Sequence, residues 1–254
     1  MVRRAAALLG PRRALALVGL TAALVAYTIG SDQLWDAGLW PDVLFLSFVV
    51  IPAIFLVIWL ALPVAFERGL LYSGLGLVVL AVLLRLAGLD ALFNFAKLFA
   101  LIVLGFWFLS LFETVVWAVL VAAIIPWVDI WSVYASYGPT KHLLKQPGLF
   151  EEVSIEFALP GQEQGAGIGP PDILFFALFL AAAARFGLRV AWTWIGMTAC
   201  LSLTLILTIA TDVNGLPALP AICIGFLLPN ADLLWRELRS AKWPPGDTPA
   251  DDAK

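Results

Sequence analysis

Ionisable chemistry is scarce in this chain. Only 13% of its 254 residues are Asp, Glu, Lys or Arg, where a soluble domain carries about a quarter. There is one histidine, His142, and there are two cysteines, Cys200 and Cys223, both inside apolar runs. Two such cysteines make neither a disulfide framework nor a metal-ligand set, and they read as buried thiols. A Ser-His-Asp triad or a His-based zinc site would have to rest on His142, which reads as a loop residue. No glycine-rich phosphate loop and no basic nucleic-acid patch is visible. The chain is therefore expected to use no metal and no cofactor, and to bind no nucleic acid.

Hydrophobic sequence fills the space. The chain is 62% hydrophobic with a mean hydropathy of +0.97. Its long apolar runs lack period-two alternation, which favours membrane helices over an outer-membrane barrel. The expected fold is an all-α polytopic membrane protein with about eight spans, near residues 13–30, 42–66, 69–88, 91–112, 114–136, 171–187, 190–210 and 216–235. Asn94 and Lys97 interrupt the start of the fourth. Arg3, Arg4, Arg12 and Arg13 precede the first run as in a signal peptide, but no small-x-small cleavage site follows, so that run reads as an uncleaved span. Trp35, Trp40, Trp127, Trp192, Trp235 and Trp243 fall near predicted interfaces, as an aromatic belt does. The chain divides into N-terminal helices (1–112), a second helical half (113–243) with a long loop at 137–170, and a polar tail (244–254) expected to be disordered.

Eight spans place both termini on one side. Arg3, Arg4, Arg12, Arg13, Arg68, Arg185, Arg189, Arg236, Arg239 and Lys242 fall there, against Arg85, Lys141 and Lys145 opposite. The positive-inside rule makes the termini cytoplasmic and the loop external. Within that loop, residues 137–145 read as a short interfacial helix. Val153–Leu159 alternates apolar and polar as a strand does, and needs a hairpin partner or an incoming extended peptide. Gly161–Gly169 reads as flexible and glycine-rich.

Two carboxylates stand out. Asp129 lies in Ala123-Ile124-Ile125-Pro126-Trp127-Val128-Asp129-Ile130-Trp131, and Asp172 opens Asp172-Ile173-Leu174-Phe175-Phe176. An aspartate at membrane depth costs about 2.5–3.5 kcal/mol on insertion scales. The outer part of one span and the outer start of the next can meet. Two carboxylates brought together in low dielectric share a proton, so one can activate water while the other protonates a carbonyl oxygen. Near the C-terminus, Gly215-Leu216-Pro217-Ala218-Leu219-Pro220 opens the last span with prolines that remove backbone donors. Asp172 alone also fits a first-turn helix carboxylate. Asp129, with no basic residue within a turn, is harder to explain structurally.

The ordered set resembles the presenilin and signal peptide peptidase family of intramembrane aspartyl proteases. Asp129 falls at that family's first catalytic position, with Val128 where the family has tyrosine, and Gly138-Pro139 follows the span as in presenilins. Asp172 falls at the second position, in Gly167-Ile168-Gly169-Pro170-Pro171-Asp172 where the family has Gly-x-Gly-Asp. Pro217-Ala218-Leu219 matches the family's Pro-Ala-Leu directly. The resemblance covers about residues 114–235; the family has nine spans, one more than are counted here. It implies a presenilin-like bundle with a short strand or hairpin between the aspartate helices. It implies a catalytic pair of Asp129 and Asp172, and Gly167, Gly169, Pro217, Ala218 and Leu219 positioning a transmembrane-helix substrate or a signal-peptide remnant in the lipid bilayer. Two other readings stay open. Paired membrane carboxylates also serve proton-coupled transporters or channels, although the first four spans hold no equivalents of Asp129 and Asp172, as a repeat-built transporter would. A catalytically inactive relative that escorts membrane proteins is the third.

Overall fold

The computed structural model describes residues 2–134, 152–162, 165–211 and 216–240, with side chains from Gly10 to Arg239. His142, Trp243, the interfacial helix expected at 137–145 and the polar tail lie outside the described residues. The chain forms α1 (Val2–Gly30), α2 (Leu39–Phe66), α3 (Leu70–Leu86), α4 (Asp90–Leu109), α5 (Val115–Tyr134), β1 (Ile155–Phe157), β2 (Ala166–Ile168), α6 (Pro170–Arg185), α7 (Val190–Ala210), α8 (Leu219–Leu227) and α9 (Ala231–Ser240). Five of these helical stretches, Gly10–Gln33, Leu39–Phe66, Asp90–Leu109, Val115–Tyr134 and Val190–Ala210, are long and apolar enough to cross a membrane. The protein is a multi-pass helical membrane protein.

Prolines explain where the helices depart from regularity. Pro52 cannot donate to the preceding turn and crowds it, and a widened π turn, Leu46–Val50, lies just before it. Pro63 sits in the tight 3₁₀ turn Leu62–Phe66 that ends α2. Pro126 lies inside α5, one turn before Asp129, and leaves the Ala122 carbonyl without its helical donor. In α1, Gly10 at φ 65° precedes Pro11 and breaks the helix, so the regular span begins there.

Helices pack closely where glycine permits it. A Cβ at Gly225 would lie 2.4 Å from the Met197 Cα, which holds α8 against α7. A Cβ at Gly105 would lie 2.5 Å from the Leu174 carbonyl oxygen, which holds α4 against α6. Helix α6 runs through the middle of the core: every residue from Phe176 to Ala183 is fully buried. Phe176 stacks on Phe55 and Phe179 on Phe226, at 3.9 and 4.7 Å between ring centres.

The two ends of the bundle carry different chemistry. At one end Arg13 donates to the Leu60 and Trp59 carbonyls, and Arg185 to the Leu109 carbonyl. Arg189 forms a bidentate pair with Asp232 there, and buried Asn230 accepts from the Arg189 amide. The pair holds the Asp232 carboxyl below the usual carboxylate range, chiefly through its hydrogen bond to the guanidinium. The opposite end carries the hairpin. Tyr27 donates to the Ala158 carbonyl, the Gly161 amide to Ser31, and Gln162 to the buried Asp42 carboxylate.

The hairpin refines the sequence expectation in two ways. The strand is shorter than Val153–Leu159, and its partner is the glycine-rich stretch expected to be flexible. The strands are antiparallel, with Ile155 opposite Ile168, Glu156 opposite Gly167 and Phe157 opposite Ala166. Ile155 and Phe157 turn into the core and Glu156 turns out, the alternation a half-buried strand requires.

Candidate active site

Asp129 lies five residues from the end of α5 and is half-buried. Its Oδ2 accepts a hydrogen bond from the Leu219 amide at 3.0 Å. Leu219 is the first helical residue of α8, so this amide is one of the donors that a helix leaves unsatisfied at its start. A carboxylate there also meets the positive end of the helix dipole. Pro217 precedes the helix, and Pro220 follows at its second position. The Cys223 thiol, one turn further along α8, is buried.

Asp172 is the third residue of α6. Pro170 and Pro171 occupy the first and second helical positions, after Gly169 in extended geometry (φ −64°, ψ 143°). Proline is favoured in the first turn, where its missing N–H has no helical partner to lose. The two prolines that separate this sequence from a plain Gly-x-Gly-Asp are thus absorbed as a helix start, with Gly167 in β2 and Gly169 as the cap. The Asp172 amide donates to the Gly169 carbonyl at 3.1 Å. A Cβ on Gly169 would come within 3.2 Å of the Asp172 Oδ2, so the side chain folds back over this glycine. This is also the arrangement of a first-turn carboxylate satisfying its own helix start. Helix α8, whose first amide holds Asp129, packs against both α5 and α6, the helices that carry the two aspartates.

A cavity of about 210 Å³ opens beside Asp172. Gly167 and Ile168 of β2, Phe157 of β1, Ala218 before α8, and Thr204 and Thr208 of α7 border it. Both threonine hydroxyls donate to carbonyls one turn back. Of the residues singled out from sequence, Asp172, Gly167 and Ala218 line this cavity, Gly169 underlies Asp172, and Leu219 holds Asp129. Pro217 stands immediately before Ala218.

The hairpin's supports escaped the sequence reading. Asn94 donates to the Glu156 carbonyl at 2.7 Å and accepts from the Glu156 amide at 3.0 Å. Lys97 donates to the Ser154 and Glu152 carbonyls and lies 4.3 Å from the centre of the Phe93 ring. Their polar interruption of an otherwise apolar span was the available signal.

Asn94 has a further geometric consequence. In an antiparallel pair, both polar backbone groups of a residue point to the same side of its strand. Glu156 directs its own toward Asn94 and away from β2. Its opposite number, Gly167, therefore directs its N–H and C=O away from β1, and Gly167 also borders the cavity.

No protein-family model matches the chain, and no curated protein sequence matches it.

Proposed function

We propose that this protein is an intramembrane aspartyl endopeptidase that hydrolyses peptide bonds within transmembrane segments or signal-peptide remnants. The observation that carries the reading is the joint placement of the two carboxylates. Asp129 is held by the first amide of the Pro-Ala-Leu helix, and Asp172 borders a cavity that Ala218, the residue just before that amide, also lines. In this reading one carboxylate accepts a proton from water as that water attacks the scissile carbonyl carbon. The other donates a proton to the carbonyl oxygen, giving a neutral tetrahedral diol. Proton return to the amide nitrogen then accompanies C–N cleavage.

A transmembrane helix shields its own carbonyls, so the substrate has to unwind locally. The N–H and C=O that Gly167 turns away from β1, at a residue that borders the cavity, support that step. An unwound segment can pair with this edge as an added strand, with its next side chain entering the cavity. The absence of a side chain at Gly167 leaves room for the added backbone. The distribution of arginines supports cytoplasmic termini and an external hairpin, with Arg13, Arg185 and Arg189 at the end opposite β1 and β2.

The test is cleavage of a reporter transmembrane peptide by the purified protein in detergent. Asp129→Asn and Asp172→Asn should each abolish the product while leaving the unfolding temperature near that of the parent. Cleavage retained by either variant overturns the assignment.

A further inference from the structure

A second feature lies on the other flank of α6, away from the cavity beside Asp172. Three cavities there share walls in sequence. The first, about 350 Å³, is polar and bordered by Arg85, Asp90, Asn94, Lys97, Glu152 and Glu156. The second, about 450 Å³, shares Arg85, Phe93, Lys97 and Glu152 with it, but is otherwise lined mainly by α3 and α4 aliphatic side chains such as Val82 and Leu101. The third, about 470 Å³, shares Leu101, Leu104 and Pro170 with the second and ends at Trp107 and Phe108. Together they trace one face of α4, at Phe93, Lys97, Leu101, Leu104 and Phe108, the spacing of a single helical stripe.

The dimensions match one lipid molecule. From Phe93 to Phe108 the helix rises about 22 Å at ~1.5 Å per residue. One leaflet of hydrocarbon is about 15 Å deep, half of the ~30 Å core. The polar end sits beside the hairpin, where a headgroup lies, and the apolar channel runs inward from it.

Charge narrows the headgroup. The polar cavity gathers two cations, Arg85 and Lys97, and three carboxylates, Asp90, Glu152 and Glu156. Arg85 pairs with Asp90 and reaches Glu152 at 3.8 Å, so both signs are presented side by side. An anionic headgroup would meet more negative than positive charge. A headgroup carrying a phosphate and an ammonium matches both: phosphate toward Arg85, ammonium toward the carboxylates.

We propose that this groove is a binding site for a zwitterionic phospholipid of the phosphatidylethanolamine type. The headgroup lies between Arg85 and Glu152, and an acyl chain runs along α4 to Trp107. The site adjoins Pro170 and Pro171, so the lipid packs against the start of the helix that carries Asp172. The proposal is independent of the proteolytic reading.

Native mass spectrometry of the full chain, delipidated and then supplied with phosphatidylethanolamine or phosphatidylglycerol, tests it. One retained phosphatidylethanolamine is expected, with a preference over phosphatidylglycerol of about fivefold, the scale of one exposed charge pair. Leu101→Trp, which fills the channel, should abolish retention. Val82→Trp, on the opposite wall and half-exposed on α3, should do the same if Leu101→Trp fails to fold. Glu152→Lys, which turns the local excess of carboxylates into an excess of cations, should remove the preference. Equal retention of both lipids by the parent, or undiminished retention in a folded channel-filling variant, overturns the site. So does a photo-crosslinker at residue 101 that captures a transmembrane peptide in place of lipid.

Discussion

The Leu219 amide donates to the Asp129 carboxylate at 3.0 Å, across 90 residues of sequence. A backbone donor cannot be removed by ordinary side-chain exchange, and proline is the one natural residue that deletes it. Leu219→Pro keeps a residue compatible with the first helical position but leaves Asp129 without this partner. A hydrogen bond to a charged group contributes about 1.5–3 kcal/mol, so kcat for a reporter peptide should fall roughly 10- to 100-fold. Leu219→Ala, which retains the amide, should lose much less. Equal losses in the two variants would show that the side chain, not the amide, matters.

Gly169 lies under the Asp172 carboxyl, where a Cβ would come within 3.2 Å of Oδ2. Its φ of −64° is open to any residue, so a substitution acts on Asp172 and not through backbone strain. A catalytic group displaced by about 1 Å can cost roughly 100-fold in rate. Gly169→Ala should therefore lower kcat about tenfold, and Gly169→Val further, at nearly constant unfolding temperature. A lower unfolding temperature with unchanged activity per folded molecule would place the role of Gly169 in stability.

Asn94→Ala leaves both polar groups of Glu156 without their side-chain partner. The cost should be about 1–3 kcal/mol, concentrated at the hairpin. Hydrogen exchange at the Glu156 amide should accelerate more than exchange in α6. Uniform acceleration across the helices would mean that the hairpin does not open separately.

Two glycine substitutions should change stability in opposite directions without touching either aspartate. A Cβ at Gly225 meets the Met197 backbone at 2.4 Å, whereas one at Gly76 in α3 meets nothing within 4 Å. Gly225→Ala should destabilise by about 1–3 kcal/mol through overpacking. Gly76→Ala should stabilise by about 0.5–1 kcal/mol through the lower entropy of the unfolded chain. Thermal unfolding in one detergent checks both.

The legible parts of the fold are those set by local pattern. Apolar runs, prolines and charge breaks gave helices close to the observed ones, and Asp129 stood out because nothing nearby in sequence could neutralise it. The alternation of Val153–Leu159 exposed β1, but β2 was hidden because Ala166-Gly167-Ile168 has neither alternation nor β-branched density; it is a strand because β1 and the bundle end hold it there. Asn94 and Lys97 were visible as interruptions, yet their partners are backbone groups 62 and 57 residues away, which no local pattern reports. The same holds for Leu219, whose functional group is an amide common to every residue but proline. Pro170-Pro171 separate the glycines from Asp172 in the sequence, and only the cap position of Gly169 explains them, as the start of a helix.

Those two prolines also bear on how the hairpin and the helix can move. Between the last residue of β2 and Asp172 lie only Gly169, Pro170 and Pro171, and two of these three have φ fixed by a ring. The connection therefore has little torsional slack. A segment that paired with β2 and shifted it would carry the Asp172 carboxyl along, so the strand edge and the carboxylate would move as one.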